Sequence, residues 1–475
     1  MKIKFCGAAR GVTGSCHLLT LENGYKILLD CGLFQGEDEI DDDINSRWLF
    51  DPAEIDIMIL SHAHIDHCGR LPKLVKDGFK GHIISTHATR DLAEIMLMDT
   101  AHIQERDAEY FNRKIAEKRK KHTGEKLKYR EPIYKSADVT NAMKHFITVS
   151  YDRWVELAKG IKLLFTDSGH ILGSAAVNLV IQKGGDDLRL AFTGDIGRPH
   201  RPILKNPQEM WPADVVITES TYGDKLHLQR PAEKEQFMQV ISDTCVSRKG
   251  KLIIPAFSLG RTQELVYLLY QLCNEAKLPN VPVYVDSPLA VSATDIYKAH
   301  SECFDEELYE YILKDPDPFG FRKLKYITDV NESKSLNNSK EPCIIISAAG
   351  MINAGRIQHH VFNNIEDPKN TILIVGYSSP GTPGGKLRAH VDSLKLFGEL
   401  KKVNAKIEIM DSFSAHGDQH EMIEYLSNQK SSCKKMYLVH GDYDVQQKYQ
   451  QMLQSQHFVR PEIPEFGQLV EVHGS

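Results

Sequence analysis

The sequence predicts an α/β protein made of two kinds of segment, one flanked on both sides by the other. Three observations carry this. Residues 1–60 and 161–218 read as short apolar strands separated by Gly-rich loops and turns. Between about 224 and 375, strands alternate with helical patterns, which implies a parallel sheet with helices on its faces. From 405 the chain returns to its first style, with apolar runs that end in histidine. At 475 residues there is room for two or three domains.

Composition narrows the class. Hydrophobic residues at 41% and charged residues at 26% are ordinary for a globular protein, and no apolar run approaches a membrane span. The stretch Met1-Lys2-Ile3-Lys4-Phe5-Cys6-Gly7 lacks a signal-peptide core, so the expected location is cytoplasmic, with no membrane partner. The nine cysteines include no C-x-x-C pair, which argues against a disulfide framework or a cysteine zinc site. Cys68, beside the histidine cluster described below, reads as a buried thiol rather than a ligand. A net charge of −6 does not announce a nucleic-acid binder, so such a partner would need a local basic surface. One basic run exists, from Arg113 to Arg130, readable as a solvated helix face or as an RNA-contacting surface.

The elements follow in order. Strands are expected at 2–6, 17–21 and 25–29, with Asn23-Gly24 as a hairpin turn and Asp30 at the tip of the third. Residues 55–60 read as a buried strand, 69–74 as a helix start, 82–86 as a strand and 89–102 as a helix. Strands at 161–166, 175–181 and 188–193 enclose a loop with His170 and end at Asp195. A strand at 215–218 ends in Glu219. The middle region reads as helix 232–247, strand 251–255, helix 262–276, strand 281–286, helix 292–300, a polar stretch 314–341, strand 343–347, helix 355–364 and strand 371–375. Two of its strand-to-helix turns, 258–262 and 347–351, carry small residues that let backbone N–H groups approach phosphate. Strand 405–410 precedes His416, helix 419–428 follows, and strand 435–439 ends at His440.

The chemistry concentrates in His62-Ala63-His64-Ile65-Asp66-His67, on a strand-to-helix connection. In extended chain, i and i+2 point the same way, so His62 and His64 can grip one metal while Asp66 and His67 turn toward a second. Imidazole and carboxylate together suit zinc or a similar divalent ion. A single histidine would read as an ordinary polar residue; the cluster does not. Two divalent ions about 3.5–4 Å apart can clamp a phosphodiester and share a hydroxide nucleophile at neutral pH.

With Asp30, His62–His67, His170, Asp195, Glu219, His416 and His440 in this order, the chain resembles the β-CASP nucleases of the metallo-β-lactamase superfamily over nearly its whole length. It is similar to the bacterial and archaeal ribonucleases related to the cutting subunit of the cleavage and polyadenylation specificity factor. The resemblance implies an αβ/βα metallo-β-lactamase sandwich from 1–221 and 405–475, with a parallel-sheet β-CASP domain inserted at 222–404. It implies two zinc ions: one on His62, His64 and His170, the other on Asp66, His67 and His440, with Asp195 bridging and Asp30 orienting the site. Glu219, His416 and His440 match the three β-CASP motifs. His416 is then the expected general acid for the 3′-oxygen, ranked above His390, with Glu219 holding its ring. The catalytic set is His416, Glu219, Asp66 and Asp30. Histidine at 440 accompanies RNA-cleaving relatives. Arg261, Ser347, Gly350 and Lys386 match segments expected to meet RNA phosphates, although Gly385 stands where relatives often have arginine.

The resulting expectation is a zinc-dependent ribonuclease that acts on single-stranded RNA, leaves a 5′-phosphate and a 3′-hydroxyl, and forms a homodimer. A small-molecule metallo-hydrolase and an inactive RNA-binding scaffold are the alternatives. The Glu219/His416 pair speaks against the first and the complete ligand set against the second.

Overall fold

The computed structural model describes all residues except 40–42, 122–128, 183–186, 228–230, 314–316, 377, 411–413 and 473–475; the side chains of 37, 118–121, 231 and 232 are also left aside. The chain forms two compact units. The first comprises Met1–Gly197, Pro207–Lys225 and Asp418–Ser475, and the second Arg198–Asn206 and Leu226–Gly417.

The first unit contains two sheets. In the seven-stranded sheet the spatial order is Leu469–Glu471, Lys2–Gly7, Cys16–Thr20, Lys26–Leu29, Ile57–Ile59, His82–Ser85 and Phe146–Thr148. Its first pairings are antiparallel and its last three parallel. The six-stranded sheet runs Lys435–Leu438, Val215–Thr218, Leu188–Phe192, Ala175–Ile181, Ile161–Asp167 and Val155–Ala158.

Register shows how the sheets face each other. Leu29, Ile59 and Ile84 are partners across three strands, and so are Phe165, Val177, Phe192, Ile217 and Tyr437 in the other sheet. Both rows belong to one buried cluster. The intervening row, Leu18, Leu28, Met58 and Ile83, points to the opposite face of the first sheet and is also buried. Burial of each such side chain stabilises by about 1.5–3 kcal/mol. On the outer face of the second sheet, Ala191, Val216, Met436 and Leu438 pack with Met422 of helix Gln419–Tyr425 and Leu453 of helix Tyr443–Ser455. Helices Leu71–Lys76, His87–Lys121 and Ser136–Met143 pack together, the long one also against strand Phe146–Thr148. The architecture is an αβ/βα sandwich. Inside it, His17 sits between the rings of Phe5 and Phe192. Burial pushes its imidazole down to about 3, so it is neutral.

The second unit is a six-stranded parallel sheet in the order Leu324–Tyr326, Val283–Val285, Ile344–Ser347, Leu252–Pro255, Thr371–Val375 and Lys406–Met410. Ile253, Ile372 and Ile374 pack against Ile357 and Val361 of helix Ile357–Asn364 and Leu387 of helix Pro383–Arg388. The remaining helices include Arg261–Asn274, Pro288–Ala299 and Val330–Asn338. Segment Arg198–Asn206 joins this unit through a bridge between Leu204 and Phe304.

Several elements differ from the expectation. Lys406–Met410 pairs with Thr371–Val375, a partner its pattern did not name, and the second unit runs to Gly417. The helix expected at 89–102 extends over His87–Lys121. The polar stretch 314–341 holds strand Leu324–Tyr326 and helix Val330–Asn338. A hairpin of Ser393–Leu396 and Glu399–Lys402 was not anticipated. Residues 122–128 of the basic run and Asp411, Ser412 and Phe413 before His416 lie outside the described residues. Among the described residues, no helix is long and apolar enough to cross a membrane.

Candidate metal centre

The first unit gathers its ligand-type side chains at the ends of strands from both sheets. Strand Ile57–Ile59 delivers Ser61 and, in extended chain, His62 and His64. His64 is the residue before a one-turn helix, Ile65–Cys68, which turns Asp66 and His67 the other way. Asp30 follows strand Lys26–Leu29, and His170 lies in the loop between Ile161–Asp167 and Ala175–Ile181. Asp195 follows Leu188–Phe192, and His440 follows Lys435–Leu438. Two glycines permit the close approach of these loops. A Cβ on Gly32 would lie 1.6 Å from the Asp66 carbonyl oxygen, and one on Gly197 would lie 1.9 Å from that of Gly169. Asp30 and His440 both adopt left-handed backbone, with φ of 57° and 51°. Such conformations cost roughly 1–3 kcal/mol and cluster at functional sites.

The side chains form two cages. In the first, His62 Nε2 lies 3.1 Å from His64 Nδ1, and His170 Nε2 lies 3.2 Å from the same atom. Asp195 Oδ2 is 3.4 Å from both His62 Nε2 and His170 Nε2. In the second, His67 Nε2 is 3.2 Å from His440 Nε2 and 3.2 Å from Asp195 Oδ1. Asp66 Oδ2 is 3.4 Å from His440 Nε2. A tetrahedral ion with ligands at about 2.0–2.1 Å has ligand-to-ligand edges of about 3.3 Å. The first cage has edges of that size, the second is slightly looser, with His440 Nε2 3.7 Å from Asp195 Oδ1, and Asp195 gives one oxygen to each. The donor set, imidazole plus carboxylate, fits divalent ions of the zinc type.

Electrostatics favour the same use. Burial pushes His64 down to about 3, with His62 adding to the effect, so its lone pair is available. Burial and the neighbouring His67 lower His62 as well. For His67, burial opposes the charge, but Asp195 and Asp30 raise it well above its ordinary value. An ion at its Nε2 therefore competes with a proton. Burial works against ionisation of Asp66, yet the hydrogen bond from His440 and the nearby imidazoles hold it below the ordinary carboxylate range.

A layer of oriented groups surrounds the cages. His67 Nδ1–H donates to Asp30 Oδ2 at 2.6 Å, which leaves Nε2 facing the cage. Asp30 is itself fixed by the Ser61 N–H at 2.8 Å and by the hydroxyls of Ser61 and Ser15 at 2.9 and 3.2 Å. Thr221 Oγ1 accepts from His440 Nδ1–H at 3.0 Å while its own hydroxyl donates to the His440 carbonyl. Glu219 is fully buried; its oxygens accept the backbone N–H groups of Ile196 and Thr221. It thus fixes the residue after Asp195 and the residue that orients His440. Ser15, Ser61 and Thr221 were missed in the sequence; nearness to the histidine cluster and to Glu219 was the available signal for Ser61 and Thr221, and Ser15 had none. Cys68 donates to the Ala63 carbonyl at 3.4 Å, burial raises its thiol well above the usual value, and it stands outside both ligand groups.

The remaining expected site residues lie in the second unit. His416 is half-buried, and its carbonyl accepts from His227 Nε2–H at 3.1 Å. His390 is exposed. Ser347 ends one parallel strand and Arg261 opens the helix after another, at the carboxyl ends where such sheets commonly bind ligands. Their side chains are nevertheless engaged. Ser347 Oγ donates to the Asp286 carbonyl at 2.7 Å. Arg261 is buried, and its guanidinium donates to Glu264 at 2.5 Å. Burial lowers it to about 10, with Glu264 opposing the shift. A Cβ on Gly350 would touch the Phe257 ring at 3.0 Å. Lys386 is exposed. A Cβ on Gly385 would lie 2.1 Å from the Ser379 carbonyl oxygen, which explains why this backbone position holds no arginine.

The fold and the double cage define a metal-dependent hydrolase of the metallo-β-lactamase type. Family comparisons agree. The metallo-β-lactamase superfamily model matches residues 9–237, the β-CASP domain model 262–387, and the Zn-dependent metallo-hydrolase RNA specificity domain model 401–464. Ribonuclease TTHA0252 of Thermus thermophilus is 34% identical, with 93% of each chain covered. An RNase J-like protein of Methanocaldococcus jannaschii is 30% identical over 93% of this chain and 92% of its own. Transcription termination factor FttA of Methanosarcina mazei is 30% identical over 93% of this chain and 67% of its own. A solved structure of a protein of unknown function from Enterococcus faecalis shares the fold, with a TM-score of 0.53, 11% identity and 99% of both chains covered. The chain belongs to the β-CASP ribonuclease family of the metallo-β-lactamase superfamily.

Proposed function

We propose that this protein is a zinc-dependent ribonuclease that hydrolyses phosphodiester bonds of single-stranded RNA with two metal ions, leaving a 5′-phosphate. The observation that carries this reading is the pair of cages joined by Asp195, with edge lengths close to tetrahedral ones. The relatives named as ribonucleases support RNA as the substrate. Bound there, two divalent ions supply Lewis acidity and activate water at neutral pH. The chain's own residues do the rest. His62, His64 and His170 hold one ion, Asp66, His67 and His440 the other, and Asp195 both. Asp30 and Thr221 fix the imidazoles that face the second ion. His416 donates the proton to the 3′-oxygen, and Glu219 acts in this reading through the loops it fixes. The first unit serves as the metallo-β-lactamase domain and the second as the β-CASP domain. Lys386, exposed in the last turn of its helix, is the phosphate contact best supported, since Arg261 is already paired. Homodimerisation is part of the same reading; a solution mass near that of one chain would remove it. The decisive experiment measures metal content and incubates the loaded protein with end-labelled RNA. About two zinc ions per chain with 5′-phosphate products support the reading. Metal-loaded protein that leaves RNA intact would falsify it.

A further inference from the structure

The second unit contains a buried charged cluster that the metal chemistry does not use. Arg201 and Arg261 both donate to the same oxygen of Glu264. All three side chains are buried, with exposures of 7%, 6% and 10%. Two guanidiniums on one carboxylate are an expensive arrangement for stability alone, because desolvating a charge costs several kcal/mol. The cluster does something besides neutralise itself: the Arg201 guanidinium also donates to the Ser414 carbonyl. Ser414 stands two residues before His416, and the His416 carbonyl is held by His227. The short segment carrying His416 is therefore gripped by its backbone at two points. One grip leads through Arg201 and Glu264 to Arg261, the first residue of helix Arg261–Asn274. Arg201 bonds the main chain of this segment, so its grip does not use the His416 ring.

We infer that Arg201 is a positioning residue, which holds the Ser414–His416 segment so that the His416 imidazole is presented as proton donor. The inference rests on the reading of His416 as general acid. It assigns Glu264 and Arg261 to the support of Arg201. Arginine suits the role because its planar fork reaches a carbonyl and a carboxylate at once, which a lysine ammonium does less well.

The test compares Arg201→Ala, Arg201→Lys and His416→Ala in the metal-loaded full chain. Two substrates are used: RNA and a p-nitrophenyl phosphodiester, whose leaving group needs no proton. Arg201→Ala should cut RNA about 100-fold more slowly, the scale of general-acid catalysis. Its turnover of the p-nitrophenyl ester should change by less than about threefold, and its metal content should stay intact. Arg201→Lys should be intermediate. Equal loss on both substrates would show a merely structural role and overturn the inference, as would an undiminished RNA rate. Hydrogen exchange of the peptide containing 414–417 separates the grip from the acid. If His416→Ala shows no selective loss on RNA, the general-acid reading fails. Faster exchange there in Arg201→Ala then still supports the grip, and unchanged exchange rejects it.

Discussion

Asp195 sends Oδ2 toward one cage and Oδ1 toward the other. In the proposed two-ion reading it is the ligand that both ions would share. Asp195→Ala should lower metal content from about two ions per chain to below one, measured by elemental mass spectrometry; retention of both ions would contradict the shared-ligand assignment. Thr221 acts one step back, by orienting His440. Thr221→Val should weaken the metal by about tenfold without unfolding the chain, the usual scale for an orienting hydrogen bond. His416→Ala should abolish RNA cleavage and keep the metal; loss of metal would make His416 a ligand instead. The cluster was legible because metal chemistry restricts residue types and strand geometry restricts their spacing. The orienting hydroxyls were not, because a serine or threonine side chain is compatible with almost any loop. Arg261 shows a related point. A cation after a glycine-containing turn looks like a phosphate contact, and only the folded chain reveals Glu264 on the same helix, one turn along.

Apolar runs made the interior strands readable, as at Ile344–Ser347 and Thr371–Val375, whose residues are buried throughout. Edge strands and exposed hairpins lack that signature. Leu324–Tyr326 and the hairpin of Ser393–Leu396 and Glu399–Lys402 mix charged or polar residues with few apolar ones and were passed over. Lys406–Met410 was visible as a strand, but a strand's pattern does not name its partner, and its neighbour is Thr371–Val375. Helix Pro383–Arg388 shows how an element decides a residue. Gly385 lies against the Ser379 carbonyl, so the backbone there has no room for a side chain. Gly385→Arg, which restores the residue common in relatives, should destabilise the protein by about 2 kcal/mol through overpacking. A lowered denaturation midpoint with unchanged metal content is the expected result; unchanged stability would show that the segment yields easily.

At the scale of the whole molecule, the change of rhythm along the chain marked two kinds of architecture, whereas the crossing points depended on pairings no local pattern records. The two units also differ in what stabilises them. The first would be tied to metal binding in the proposed reading, and a ligand present at 1,000 times its dissociation constant contributes about 4 kcal/mol. The second has an internal ion network at the end of strand Val283–Val285. There Asp286 accepts from Arg356 at 2.6 Å and from Ser333, and pairs with His360 at 2.7 Å. Burial disfavours the Asp286 charge, but His360, Ser333 and Arg356 together lower its pKa below the ordinary carboxylate value. A depressed folded value means that the stabilisation is fully present above about pH 4 and is lost as pH falls through the folded pKa. The two units should therefore respond to different treatments. Chelation at pH 7 should raise hydrogen exchange around 61–68, 168–174 and 439–441 while strands Val283–Val285 and Ile344–Ser347 stay protected. Acidification of the metal-free chain below about pH 4 should open those two strands. If chelation at pH 7 loosened both sets equally, stability would not be divided between ions and the Asp286 network in this way.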